Sequence, residues 1–134
     1  SALNEPVVLT ESDISKILQA KAAIYAALKI LLEIQGKSWQ DIKKLIIAGG
    51  FGRHIHLKNA VSMGLLPPVS EDKVEMIGNG SLGGAFLSLI ESDVVRKMNE
   101  ILSRVEVIEL NMQKDFQQHY IDALFLPNRN KKDF

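Results

Sequence analysis

Cysteine is absent from this sequence, and with it go disulfides, thiolate metal sites and a cysteine nucleophile. An iron–sulfur cluster held in the usual thiolate manner is excluded from the chain for the same reason. An excess of either charge is absent too. Sixteen Lys and Arg balance sixteen Asp and Glu, which removes the electrostatic case for nucleic acid or an anionic membrane as partner. Long apolar runs are missing: the longest, AAIYAALKILLEI, is interrupted by Lys29 and Glu33, so no span is expected. No signal-peptide pattern is present. The lack of cysteine fits a reducing cytoplasm. There is no initiator methionine before Ser1-Ala2, and the chain reads as a piece of a longer protein.

What remains is ample for a core. Of 134 residues, 46% are apolar, enough for one domain of ordinary size. Residues 1–9 read as an extended lead-in. Thr10 stands where an N-cap belongs, with Asp13 in place of the Glu of a capping box. A helix is expected from there to about Ile34–Gln35, stopped by Gly36. Its start is amphipathic through Ile14, Ile17 and Leu18. Its second half is apolar nearly all round, so cover on more than one side is expected. SWQDI forms a short helical turn. Leu45 to Ala48 is a buried strand, LKNAVSMG a short helix closed by Gly64, and VEMIG (74–78) a second strand. Pro67-Pro68 and SEDK mark loop and turn. Residues 81–91 and 92–104 read as two helices broken at Ser92-Asp93. The alternation in VEVIEL (105–110) predicts a third strand. DFQQHYIDALF is a last helix, with Phe116, Tyr120 and Leu124 as its core stripe. Residues 128–134 read as a flexible tail. This order predicts an α/β fold with a small, largely parallel sheet flanked by helices.

Two glycine clusters stand out. IIAGGFG and MIGNGSLGGA each end a strand, about thirty residues apart. In open α/β sheets, ligands bind at the carboxyl edge of the strands, and glycine lets backbone approach them closely. Two such elbows on successive strands point to one shared cleft. Gly78-Asn79-Gly80-Ser81-Leu82-Gly83 also matches the dinucleotide fingerprint G-x-G-x-x-G. The mechanism behind that fingerprint fits poorly. Its acidic ribose partner is expected ~20 residues on, whereas Glu109 lies about thirty after Gly78 and a strand already precedes the motif. The other reading is that the glycines only permit close packing of helix on sheet.

Taken together, AKAAIYAALKILL, LIIAGGFGRHIHLKNAVSMGLLP, MIGNGSLGGAFLSL and ALFLP resemble the C-terminal domain of ATP-dependent reductive activators of corrinoid proteins. These are ferredoxin-like metalloproteins of corrinoid methyl transfer. The resemblance runs from about Leu9 to Pro127, and the domain is set at 10–127. It implies membership of the acetate and sugar kinase, Hsp70 and actin superfamily, in which ATP lies between two RNase-H-like lobes. The chain would be part of one lobe. IIAGGFG then resembles the adenosine motif, with Gly49 and Gly50 against the sugar and α-phosphate and Phe51, Gly52 and Arg53 beside them. Gly78, Asn79 and Gly80 would border the same cleft. Gly83, Gly84 and Ala85 match a connecting motif whose small residues pack interdomain helices closely. Gln19 and Lys21 are the helix candidates for adenine or ribose contacts.

Nothing before Gly49 resembles the superfamily's two phosphate motifs, so Mg is expected to come with a missing N-terminal lobe. The iron–sulfur cluster is likewise expected in a missing ferredoxin domain. By resemblance, the whole protein reduces Co(II) corrinoid protein to Co(I), driven by ATP. The implied partners are a corrinoid protein, the missing lobe and ferredoxin domain, and a second copy in a homodimer. No catalytic residue is assigned here.

Other readings remain open: a non-catalytic dimerisation or docking domain using the apolar helix 13–35, or part of a sugar-kinase-like or dehydratase-activator ATPase. His54 and His56 share one side of an extended segment but lack a third ligand, so they read as polar lining. Ser81 resembles an N-cap. Asn79 reads equally as a helix cap or a ligand contact. Trp39 and Tyr25 read as core or lobe-interface residues. The chain alone is expected not to hydrolyse ATP. Robust ATP turnover by the 134-residue chain, surviving substitution of Gly50, would overturn that expectation.

Overall fold

The computed structural model describes residues 8–126 and 128, without the side chains of Phe51 and Arg53. Helix α1 spans Glu11–Ile34. Its start is a reciprocal capping box. The Thr10 hydroxyl accepts from the Asp13 amide at 3.2 Å, and the Asp13 carboxylate accepts from the Thr10 amide at 3.0 Å, which satisfies donors that a helix start otherwise leaves bare. The hydroxyl and amide bonds from Thr10 hold the Asp13 carboxyl below its ordinary value. At the other end the Gly36 amide donates to Glu33 and the Lys37 amide to Leu32. This is a Schellman closure on the glycine expected to stop the helix.

The core lies along one stripe of α1. Ala22 and Tyr25 pack with Trp39 and Ala123, and Leu28, Leu32, Ile42, Tyr120 and Leu124 gather around them. Trp39 begins a 3-10 turn, Trp39–Asp41. Its ring lies 5.5 Å from that of Tyr25, tilted by 44°, and the Lys29 ammonium stands 5.5 Å from its centre, within cation–π range. The last helix, α5, covers Phe116–Ala123 and is the main packing partner of α1. His119 Nε2 and Glu33 Oε2, 2.9 Å apart, tie the two helices at the surface. Cover on α1 is narrower than its composition suggested: Ile24, Leu31 and Ile34 remain exposed, because α5 occupies one side only.

Strand β1, Leu45–Ala48, pairs in parallel with β2, Val74–Gly78. The register runs from Leu45 opposite Val74 to Ile47 opposite Met76, then shifts so that Ala48 faces Gly78. The extra residue, Ile77, is a bulge that brings the two strand ends level. Between the strands lies α2, Leu57–Ser62. After them come α3, Gly80–Ile90, and α4, Val94–Leu102. The fold is mixed α/β with a parallel sheet, as expected.

Three expectations fail. Residues 105–109 form no strand, and Leu110–Met112 is a 3-10 turn; alternation supplies two faces, but a strand also needs a neighbour to bond. The strands are not fully buried: Ile46 is 55% exposed, since two strands without a covering layer leave a face bare. Ser81 is not the cap of α3. Asn79 is, its Oδ1 accepting from the Leu82 amide at 3.0 Å. The break at Ser92-Asp93 is present, but the Asp93 carboxylate bonds Arg96 instead of capping an amide. Residues 1–7, Pro127 and 129–134 lie outside the described residues, and with them most of the expected lead-in and tail.

Candidate functional site

Both glycine elbows sit at the carboxyl end of the sheet, and they touch. The Gly49 amide donates to the Gly78 carbonyl at 2.6 Å. Gly49 has φ of 100° and Gly78 of 64°, a region that side chains with a Cβ rarely adopt. The backbone reversal at each strand end therefore requires glycine, and the two reversals are bonded to each other. Strand β1 leads through Gly50 into the 3-10 turn Phe51–His54; β2 leads through Asn79 into α3.

The glycines divide by what surrounds them. Among the described residues, a methyl group added at Gly49 or Gly50 would meet nothing within 4 Å, so the space over the first elbow is open to them. One added at Gly52 would lie 2.6 Å from Ile47 Cγ2, and one at Gly80 would lie 3.2 Å from Ile77 Cδ1. Those two let the chain pack back on its own strands. Gly83 and Gly84 face open space, and Ala85 is exposed. Whatever close packing this stretch of α3 permits is not made within the described residues. Asn79 is engaged as a helix cap. The backbone of Phe51 and Arg53 lies in the turn beside Gly50; their side chains are outside the described set. His54 and His56 are exposed, and no group of three or more metal-ligating side chains forms among the described residues.

Gln19 and Lys21 bond to groups other than this rim. Gln19 is exposed and donates to Ser15 Oγ at 3.2 Å. Lys21 is fully buried. Its ammonium donates to the Phe125 carbonyl at 2.7 Å and to Asn128 Oδ1. Among the described residues, neither side chain bonds to an elbow. The Asn128 amide rests on Gly64, where an added Cβ would stand 2.6 Å from Asn128 Oδ1. Lys21, Gly64 and Asn128 thus join α1, the end of α2 and the segment after α5. Beside them is a cleft of about 350 Å³ lined by Ile17, Ala20, Lys21, Ile24, Met63 and Leu65. Sequence reasoning missed this junction. The local signals were a glycine that reads as a plain helix stop and an asparagine in a polar tail.

The sequence and the fold both have relatives. A family model described as the C-terminal domain of RACo, the ASKHA domain, matches residues 1–134. The chain belongs to this family. It is 35% identical over 115 residues, 86% of its length, to the corrinoid activation enzyme RamQ of Eubacterium limosum, of which it covers 19%. A solved structure of a reductive activator for corrinoid, iron–sulfur protein superposes with a TM-score of 0.92 at 34% identity, covering all of this chain and 21% of that one. The chain therefore spans about one-fifth of the length of these relatives.

Burial holds the Lys21 amine below its ordinary range. The unfolded chain then binds this proton more readily, so stability rises with pH as the unfolded lysine value of about 10.4 is approached. Replacing Lys21 by Ala strips the Phe125 carbonyl and Asn128 Oδ1 of a donor, and a loss of about 1–3 kcal/mol in urea unfolding is expected. Against Lys21→Met, the native protein should gain relative stability as pH is raised toward that value.

Proposed function

We propose that this domain forms one side of the ATP cleft of an activator that reduces Co(II) corrinoid protein to Co(I). The observation that carries the reading is the bonded pair of elbows, Gly49 to Gly78, under open space at the carboxyl end of a parallel sheet. That is the edge at which α/β sheets take ligands, and the chain's relatives are named for corrinoid activation. The backbone fits a nucleotide at Gly49 and Gly50, where no described side chain blocks approach. There the sugar and α-phosphate would rest, with Phe51, Gly52 and Arg53 at the margin. ATP supplies binding energy that favours a closed arrangement of the two lobes. The Mg and remaining phosphate contacts belong to the rest of the polypeptide. An iron–sulfur centre elsewhere in the protein would supply the one electron that turns Co(II) into Co(I), being itself oxidised by one electron.

A second reading, a docking or dimerisation domain, is favoured by α3. No residue of that helix is buried, and Phe86 and Leu89 are 59% and 85% exposed. The bare apolar face lies on α3 and α4, while α1 keeps its main stripe for α5. Among the described residues no helix is long and apolar enough to cross a membrane. In this reading the face meets a protein partner.

Calorimetry with ATP, ADP and NAD separates the readings: heat with ATP or ADP and none with NAD is expected. Gly50 has φ of −63° and open space at its Cβ position, so Gly50→Val should fold normally and weaken ATP binding by about tenfold or more, a change of ~1.4 kcal/mol. Absence of nucleotide binding, or equal binding by the variant, would overturn the ATP assignment. Light scattering at high concentration should show self-association of the isolated domain through its bare apolar surface; monomers throughout would count against it.

A further inference from the structure

We infer that residues 105–109, which form no strand in the domain by itself, become an edge strand by adding to a sheet in the polypeptide preceding this domain in its relatives. Five observations converge on this segment. Its alternation, Val105-Glu106-Val107, is that of a strand with one apolar face. No secondary structure forms over 105–109, and Glu109 has extended backbone, φ −79° and ψ 102°. Among the described residues, the amides of Glu106, Val107 and Ile108 make no backbone hydrogen bond. Val105 and Val107 are 56% and 84% exposed, so neither the apolar face nor the backbone edge is engaged. The segment also continues directly from α4, whose Ile101 and Leu102 are bare as well.

The occupant follows from length and side-chain chemistry. The family model describes a C-terminal domain, and about four-fifths of each relative lies outside the matched region. A second copy of this chain is a poor fit. Antiparallel self-pairing about Val107 would set Val105 against Glu109 and Glu106 against Ile108. Pairing about Glu106 would place two carboxylates directly opposite, which is destabilising. A different strand avoids both conflicts. It would carry apolar residues opposite Val105 and Val107 and a Lys or Arg opposite Glu106. Main-chain bonds would supply affinity and the alternate side chains the register.

The inference rests on membership of a longer activator and not on nucleotide binding. Its readout, amide hydrogen exchange, is independent of ATP. In the full polypeptide that carries this domain, the amides of Glu106 to Ile108 should exchange on the order of a hundredfold more slowly than in the isolated domain. Val107→Pro removes a ladder donor at an exposed position. It should abolish that protection without shifting the thermal midpoint or the self-association of the isolated domain. Equal exchange in both proteins would overturn the inference. So would protection in the isolated domain that disappears on dilution, which would assign the strand to a second copy. ATP heats measured on the same full polypeptide report the cleft separately.

Discussion

The bond from the Gly49 amide to the Gly78 carbonyl fixes the geometry on which the rest of the site depends. Two parallel strands end level only because β2 carries the extra residue Ile77. With the ends level, the two left-handed glycines can meet. Their meeting aims one chain into the 3-10 turn at Phe51 and the other into α3. Each glycine beyond the pair then has a distinct setting: Gly50 faces open space, while Gly52 and Gly80 fold back on Ile47 and Ile77. Among the described residues, no side chain stands over the Cβ positions of Gly49 and Gly50.

The molecule is unevenly finished. Around Trp39 and Tyr25 it has a closed core, with α1 and α5 packed and tied by Glu33 and His119. Around the sheet, α3 and α4 it exposes surface that a complete α/β layer would cover. This division matches a domain that covers about one-fifth of its relatives. Its own core holds one side together, and the other side leaves large apolar residues exposed. The same unevenness supports both the cleft reading and the docking reading, since a lobe must both hold its ligand and meet its neighbour.

Much of this was legible locally. Thr10 and Asp13 are three residues apart and cap a helix with no help from elsewhere. Leu45–Ala48 and Val74–Gly78 were bounded correctly, because glycine ends each strand in sequence as it does in space. The elbows were legible as a pair, although their direct bond was not, since it depends on a one-residue bulge. Features set by distant partners were harder to read. VEVIEL has the pattern of a strand and no neighbour to pair with here. Ser81 and Asn79 are both good capping residues, and which one caps is decided by where β2 releases the chain. Lys21 was marked by its place on the helix, yet its ammonium points to the segment after α5. No local pattern ties a lysine to an asparagine 107 residues later.

That last separation bears on how the domain is made. Lys21 lies on the first described helix, and Asn128 is made 107 residues later. Until Phe125 and Asn128 arrive, the lysine lacks the two oxygens that accept from it among the described residues, and a charged group without partners resists burial. Helix α1 can form early from its own caps, but it cannot settle into its final packing until the segment after α5 is available. Closing so long a loop is slow relative to local structure. A chain shortened before Phe125 would lose both oxygens that accept from the Lys21 ammonium and leave a helix whose buried face ends in an unanswered charge.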